Sequence, residues 1–297
     1  MPGVLCVGIA TQDYVFAVDV MPATAEKHRA RDLAVVGGGI AATAAVAVSR
    51  LGGRAMLITR LGDDAVGEAI VAALAQDGVD CSLAPRTPGR RSPQSSVIVD
   101  AKGERLVVSY SDPAMPACLD AIPSRLPPGV EAVMADTRWE EGGLQAFAAA
   151  RASAGVGVLD ADRAPALGGL TEAATHVAYG AQALREMTGR DDVRAALADA
   201  ASVASNWVAV TDGERGVYFT ENGQIAHEPA FPITPVDTLG AGDVFHGALA
   251  LGLAEGMGER LAVRFASAAA AIKCTRFGGR AGAPTRDEVD ALMRRAA

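Results

Sequence analysis

Val236-Asp237-Thr238-Leu239-Gly240-Ala241-Gly242-Asp243-Val244-Phe245 sets two glycines around one alanine and follows them at once with an aspartate. The next residues, His246-Gly247-Ala248-Leu249-Ala250-Leu251, are mostly small or apolar and rich in helix formers. The pattern predicts a loop turning into the first turn of a buried helix. Such a start presents backbone N–H groups without intrahelical acceptors, at the positive end of the helix dipole, which is an anion site. Small side chains let an anion approach the backbone. Asp243 then holds a carboxylate beside that anion. Like charges repel, so the arrangement is poor for binding alone. It suits chemistry in which the acid takes a proton from a hydroxyl that attacks phosphorus. An isolated GAGD also fits a plainer reading, a helix whose first-turn Asp complements the dipole.

Length and charge narrow the class. The chain has 297 residues, 50% of them hydrophobic but only 4% aromatic. That suffices for one large domain, spanning 1–297, that buries about three quarters of its unfolded surface. Its core must be built from Ala, Val and Leu with close helix packing. A formal net charge of -8 argues against nucleic acid or an anionic membrane as partner. Cys6, Cys81, Cys118 and Cys274 follow neither metal nor disulfide-framework spacing and read as free thiols in a reducing cytoplasm. No apolar run reaches about 18 residues free of charge or Gly, and no signal peptide opens the chain.

The rest of the chain alternates strand and helix patterns. Val4 to Ile9 reads as a buried parallel strand, as do Met56 to Ile58, Val130 to Met134, Gly155 to Leu159 and Trp207 to Thr211. Helices are expected over Ile40–Leu51, Gly67–Gln76, Leu144–Arg151 and Leu261–Cys274. This rhythm predicts an α/β fold, a doubly wound and mostly parallel sheet with helices on both faces. In such sheets ligands sit at the carboxyl ends of strands, which singles out Asp13 and Arg138. Two β-ribbons interrupt the rhythm: Tyr14–Val20 with Ala30–Val36, and Ser95–Val99 with Arg105–Tyr110. They suggest a small sheet, formed by about 12–36 and 94–111, standing off the core. Val217–Thr220 and Gln224–His227 pair as a hairpin around Asn222-Gly223.

Asp237-Thr238-Leu239-Gly240-Ala241-Gly242-Asp243 resembles the DTxGAGD signature of the ribokinase-like (PfkB) carbohydrate kinases. Gly37-Gly38-Gly39-Ile40-Ala41-Ala42-Thr43, running on to Arg60-Leu61-Gly62-Asp63-Asp64, resembles that family's N-terminal element, and the resemblance covers nearly the whole chain. It implies an ATP- and Mg²⁺-dependent transfer to a sugar hydroxyl, with Asp243 as base and the N–H groups of Gly240, Ala241 and Gly242 stabilising the transferred phosphoryl. It implies substrate contacts at Asp13, Gly38, Gly39 and Thr43, the last standing where the family usually has Asn. Thr211, Gly213 and Gly216 resemble a T-x-G-x-x-G turn near the nucleotide phosphates; by itself the turn fits a plain hairpin. Gly242 and Lys273 complete the implied nucleotide set, Lys273 on the helix that backs the adenine. The small sheet becomes a lid that covers the sugar and pairs with a second subunit, giving a homodimer. Phe277-Gly278-Gly279-Arg280 lies where some relatives hold a monovalent cation. One family element is missing: the Asn and Glu positions of N-x-x-E fall on Gly180 and Ala183, so the metal ligands are unknown and Mg²⁺ would rest mainly on the nucleotide.

Several stretches are similar to bacterial sulfofructose kinases: Gln94-Ser95-Ser96, Lys102-Gly103-Glu104-Arg105, Ala135-Asp136-Thr137-Arg138-Trp139, Gly242 to Gly247, and Lys273-Cys274-Thr275-Arg276. That subgroup shares Thr at position 43 and lacks N-x-x-E. Its sulfonate contacts fall here on Lys27, Arg138 and Ser109, the last in place of Asn. The resemblance implies 6-deoxy-6-sulfofructose as substrate. The alternatives are a ketohexokinase- or fructokinase-type kinase for another ketose, and a catalytically weak sugar-binding regulator.

Overall fold

The structure is a computed structural model and describes residues 1–101 and 104–296; Lys102 and Gly103 of the sulfofructose-kinase-like stretch lie outside the described residues. The first strand is β1 (Gly3–Val7), five apolar or small residues that are all buried. Val4 and Cys6 point into one core cluster and Leu5 and Val7 into the other, so β1 is covered on both faces. Beside it lie β4 (Arg54–Ile58) and β6 (Val79–Asp80) on one side. On the other come β10 (Val130–Asp136), β11 (Val156–Ala161), β12 (His176–Gly180) and β13 (Trp207–Thr211). All these neighbours are parallel. The hairpin β14 (Val217–Glu221) and β15 (Gln224–Glu228) adds two antiparallel edge strands, giving a nine-stranded sheet.

Helices α1 (Ile40–Arg50), α2 (Ala65–Gln76), α7 (Ala241–Ala254), α8 (Glu259–Cys274) and α9 (Arg286–Arg295) pack on one face. Helices α3 (Glu140–Ala152), α4 (Leu170–Ala173), α5 (Ala181–Thr188) and α6 (Val193–Val203) cover the other. The doubly wound expectation holds. The chain runs outward from β1 to β6 and returns on the other side from β10, so the strand order reverses between β1 and β10. That switch point is where open α/β sheets bind ligands. Among the described residues no helix is long and apolar enough to cross a membrane.

A second sheet has the order β3-β2-β8-β9: β3 (Asp32–Gly38), β2 (Thr11–Ala17), β8 (Gln94–Val99) and β9 (Arg105–Tyr110). A two-stranded piece, β5 (Leu61–Gly62) with β7 (Arg86–Thr87), lies apart from both sheets. The ribbon pairing expected for the second sheet is present, but β2 begins at Thr11, three residues before the expected Tyr14. Its pairing with Gly38 at that point starts the ladder early. Asp13 therefore sits inside a strand rather than in a turn. The sequence pattern does not mark strand β12 or helices α4, α5, α6 and α9: His176-Val177-Ala178-Tyr179-Gly180 is too short and mixed to declare itself, and it is a strand because β11 and β13 flank it.

The interior confirms the Ala-rich packing. Residues Val244 to Leu253 of α7 are buried throughout. At Gly247 an added Cβ would lie 2.4 Å from the Ala44 carbonyl oxygen of α1. The contact is backbone to backbone, so neither side can yield without moving a helix. Gly247→Ala is expected to lower unfolding free energy by about 1–3 kcal/mol, the usual cost of overpacking, read from urea denaturation midpoints.

Candidate active site

Gly240 caps α7 with φ 78°, a left-handed conformation that glycine adopts without strain. The N–H of Ala241 donates to Thr238 O, and the first full helical bond runs from Val244 N–H to Gly240 O. Between them the N–H groups of Gly242 and Asp243 have no acceptor within the helix. Gly242 is exposed, and a Cβ there would meet nothing within 4 Å. The expected anion loop is thus formed and open. A Cβ on Gly240 would stand 3.3 Å from Thr43 Cγ2 and 3.8 Å from Asp243 Oδ2, so the loop gathers Thr43 and Asp243 around one point.

Asp243 is the third residue of α7, half-buried at the sheet's switch point. Burial pushes its carboxyl up to about 8; Asp160, Asp136 and Asp162 push the same way and His246 opposes them. Asp136 and Asp160 are adjacent strand partners of β10 and β11, both almost fully buried. Asp136 accepts from the N–H groups of Ile9 (2.8 Å), Ala41 (3.2 Å) and Arg138 (2.8 Å). Burial nevertheless raises its carboxyl to about 6. His246 faces only acceptors. Its Nδ1 lies 2.7 Å from Gly242 O and 2.9 Å from Asp160 Oδ2, and its Nε2 3.1 Å from Ala178 O. Both ring nitrogens must donate, so the ring is an imidazolium. Burial lowers its pKa, but Asp160 and the two carbonyls outweigh that and hold it at about 9.

The proposed sugar contacts converge from α1 and the second sheet. Asp13 accepts hydrogen bonds from Thr11 Oγ1 (2.8 Å) and Ser95 Oγ (2.6 Å). A Cβ on Gly38 would sit 2.0 Å from Asp13 Oδ2, and one on Gly39 2.4 Å from Ile9 O. These glycines are what let the Asp13 carboxylate and the turn after β1 lie against α1. Thr43 is buried one turn into α1. Arg280 lies under the same wall: a Cβ on Gly37 would meet its guanidinium at 2.0 Å.

Beside this wall is a cavity of about 360 Å³ between Gly8, Thr59 and the return from the second sheet at 111–115. Arg138 lines it, and so do Arg60 and Arg163, to which the sequence assigns no role. Arg138 is paired with Asp162 at 2.5 Å. Arg163 donates to Thr137 O. Arg60 makes only long contacts, 3.4 Å to Pro116 O and 3.5 Å to Arg138 O, over the Trp139 ring. Lys27 and Ser109 do not line this cavity. Lys27 stands on the exposed β2–β3 loop and Ser109 on exposed β9, opposite Ser95. Arg60 opens the family-like Arg60-Leu61-Gly62-Asp63-Asp64 stretch but no contact is assigned to it there, and Arg163 is marked only by following a core strand at its carboxyl end.

On the side expected to take the nucleotide, Thr211 ends β13 with its hydroxyl 3.4 Å from Tyr179 O. Gly213 and Gly216 take φ 56° and 89°, and a Cβ on Gly216 would lie 2.2 Å from Glu228 O. The turn between them centres on Asp212, gripped by Arg215 at 2.6 and 2.7 Å. Gly180 and Ala183 open α5, with Ala183 buried, so no side chain there reaches a metal. Among the described residues no group of three acidic, His or Cys side chains is placed to chelate one. Lys273 does not face the cleft. It is fully buried, and its Nζ donates to Asp237 O at 2.7 Å and stands 3.2 Å from Asp237 Oδ2. Those oxygens beside the 277–280 loop are thereby filled, and they do not fit a dissolved monovalent cation.

The profile of the pfkB family carbohydrate kinase matches residues 1–286. The chain belongs to this family and is a carbohydrate kinase, a phosphotransferase with an alcohol acceptor. It is 28% identical to a ribokinase of Bacillus subtilis (strain 168), covering 99% of this chain and 100% of that one. It is 30% identical to a fructokinase of Klebsiella pneumoniae, covering 85% and 90%. A crystal structure of an Agrobacterium tumefaciens protein, provisionally described as a ribokinase, superposes with a TM-score of 0.91 at 40% identity, over 99% of this chain and 98% of that one.

The imidazolium of His246 can be checked directly. In ¹⁵N-resolved spectra both its ring nitrogens should be protonated at neutral pH, with a midpoint at about 9. The folded value lies above the free imidazole's 6.5, so the ion pair stabilises the fold fully below that pH and the contribution fades as pH rises through about 9. A neutral ring at pH 7 would show that the Asp160 pair is not ionic.

Proposed function

We propose that this kinase transfers the γ-phosphoryl group of ATP to a hydroxyl of an anionic ketose, 6-deoxy-6-sulfofructose, giving its 1-phosphate. The observation that carries the reading is the arginine-lined cavity beside the Asp243 cluster: three guanidiniums line it with one carboxylate, Asp112, and among the described residues only Arg138 of the three is salt-bridged, to Asp162. Arg138 grips two oxygens of the anion in a fork, Arg60 and Arg163 add charge, and Lys27 and Ser109 come from the second sheet when it closes as a lid. Asp13, Gly38, Gly39 and Thr43 hold the sugar hydroxyls.

Asp243 accepts the proton of the attacking hydroxyl. A carboxyl raised to about 8 is close to working pH, which suits a general base. The N–H groups of Gly240 and Gly242 stabilise the charge of the transferring phosphoryl; the Ala241 N–H expected beside them is taken by Thr238 O and is replaced by that of Asp243. Thr211, Gly213 and Gly216 line the nucleotide side. Mg²⁺ comes with the nucleotide phosphates, since the N-x-x-E side chains are absent. The similarity to a fructokinase supports a second reading, a kinase for a neutral ketose. An intact Asp243 beside an open anion loop disfavours a mere sugar-binding regulator.

Two to three charged hydrogen bonds, less desolvation, favour a sulfonate over a C6-hydroxyl by roughly 2–4 kcal/mol, or on the order of 10²-fold in kcat/KM. The test compares 6-deoxy-6-sulfofructose, fructose 6-phosphate and fructose on wild type and Arg138→Ala, with Asp243→Asn as control. Arg138→Ala should erase most of the preference, and Asp243→Asn should cut turnover by about 10²–10⁴-fold on every sugar. Wild type preferring neutral fructose would establish the fructokinase reading instead.

The second sheet carries the proposed dimer. Strand β9 is exposed along its whole length, and Leu33, Val35, Val107 and Val108 stand out on its two outer strands. Exposed edges with apolar side chains call for a cover, and a second copy of the same sheet supplies one. Multi-angle light scattering should return a dimer at micromolar concentration; a monomer would count against the lid as an interface.

A further inference from the structure

Asp237 opens the anion-loop stretch, and its oxygens are crowded with donors. Oδ1 accepts from Arg105 Nη2 of β9 and from Leu239 N–H, both at 2.9 Å. Oδ2 accepts from the N–H groups of Gly278 (3.1 Å) and Gly279 (3.3 Å). Lys273 adds its ammonium to Oδ2 and to the Asp237 carbonyl at once. One residue thus ties together the second sheet, the end of α8, the 278–279 turn and the loop that presents Gly240 to Gly242.

A fully buried ammonium is expensive to desolvate, and a buried ion pair is weak evidence for stability. An apolar side chain at position 273 would fill the space without that penalty. What the charge supplies is position. A carbonyl and a carboxylate of one residue aim at a single point, the donor set a monovalent cation takes, and Nζ occupies that point. The tether reaches the anion loop through one carboxylate, whose Oδ1 fixes Leu239 N–H immediately before Gly240.

We infer that Lys273 is a positioning residue whose ammonium serves as this enzyme's internal monovalent cation, holding the anion loop in shape so that no dissolved K⁺ or Na⁺ is required. The inference rests on the kinase reading for its activity arm and on the fold alone for its stability arm.

The test has both arms. With wild type, initial rates and melting temperature are measured in KCl, NaCl and tetramethylammonium chloride at equal ionic strength. Rates should agree within about twofold, the range left to general screening, and the melting temperature should not depend on the cation. Lys273→Ala, which leaves room for a small cation, should lose kcat by about 10²-fold, as when an anion-hole donor is misplaced, with sugar KM changed less than kcat. K⁺, ammonium or methylammonium should then restore activity at least in part and raise the variant's melting temperature above its value in tetramethylammonium. Activation of wild type by K⁺ beyond about fivefold over tetramethylammonium would overturn the inference, as would full activity of Lys273→Ala. If Lys273→Ala fails to fold, the wild-type series still decides. If no sugar is phosphorylated, the function proposed above fails while the melting-temperature arm still tests the internal cation.

Discussion

Two helix starts must meet at one place for this site to exist, and backbone contact alone allows it. Helix α1 enters from Gly39 at φ 94° and α7 from Gly240 at φ 78°. Gly247 lets α7 lie directly on the Ala44 backbone. With any larger residue there the helices separate, and Thr43 no longer packs against Gly240. The low aromatic content follows from this contact, since alanine and glycine faces are what close helix approach demands. Both N-termini then point toward the reversal between β1 and β10, where Asp136 caps the approach by accepting from Ala41 of α1 and from Ile9 in the turn after β1.

Around those helix ends most of the acidic and basic groups lie on different sides, with Asp112 beside the guanidiniums. Asp136, Asp160, Asp162 and Asp243 gather near the start of α7, with His246 as the buried counter-charge. The guanidiniums of Arg60, Arg138 and Arg163 gather a short way along the strand ends. The Arg138–Asp162 pair joins the two groups. A cleft with an acidic end and a basic end orients a small polar molecule by its own charge distribution. His246 matters here because it offsets part of the burial and like-charge repulsion that raise the Asp243 carboxyl.

The alternation of apolar strands with Ala-rich helices was legible because each element carries its own periodicity, and so were the second sheet's four strands. The anion loop was legible for the same reason: glycine spacing and the following helix are local. Lys273 shows the opposite case. Its place at the end of the helix expected to back the adenine suggests a nucleotide contact, yet the side chain turns inward to Asp237, thirty-six positions away in sequence. Arg60, Arg163 and His246 gain their roles from partners far along the chain: Arg138 O for Arg60, Thr137 O for Arg163, and Asp160 and Ala178 O for His246.

The sequence by itself therefore determined the α/β architecture, the anion loop at Gly240 to Asp243 and the glycine-rich entry to α1, all features written within a few neighbouring residues. Only the tertiary structure decided the ionisation of Asp243 and His246, the direction of Lys273 and the company Arg138 keeps. Those properties depend on burial and on charges a few ångströms away, contributed by strands distant along the chain, and no local pattern encodes such distances.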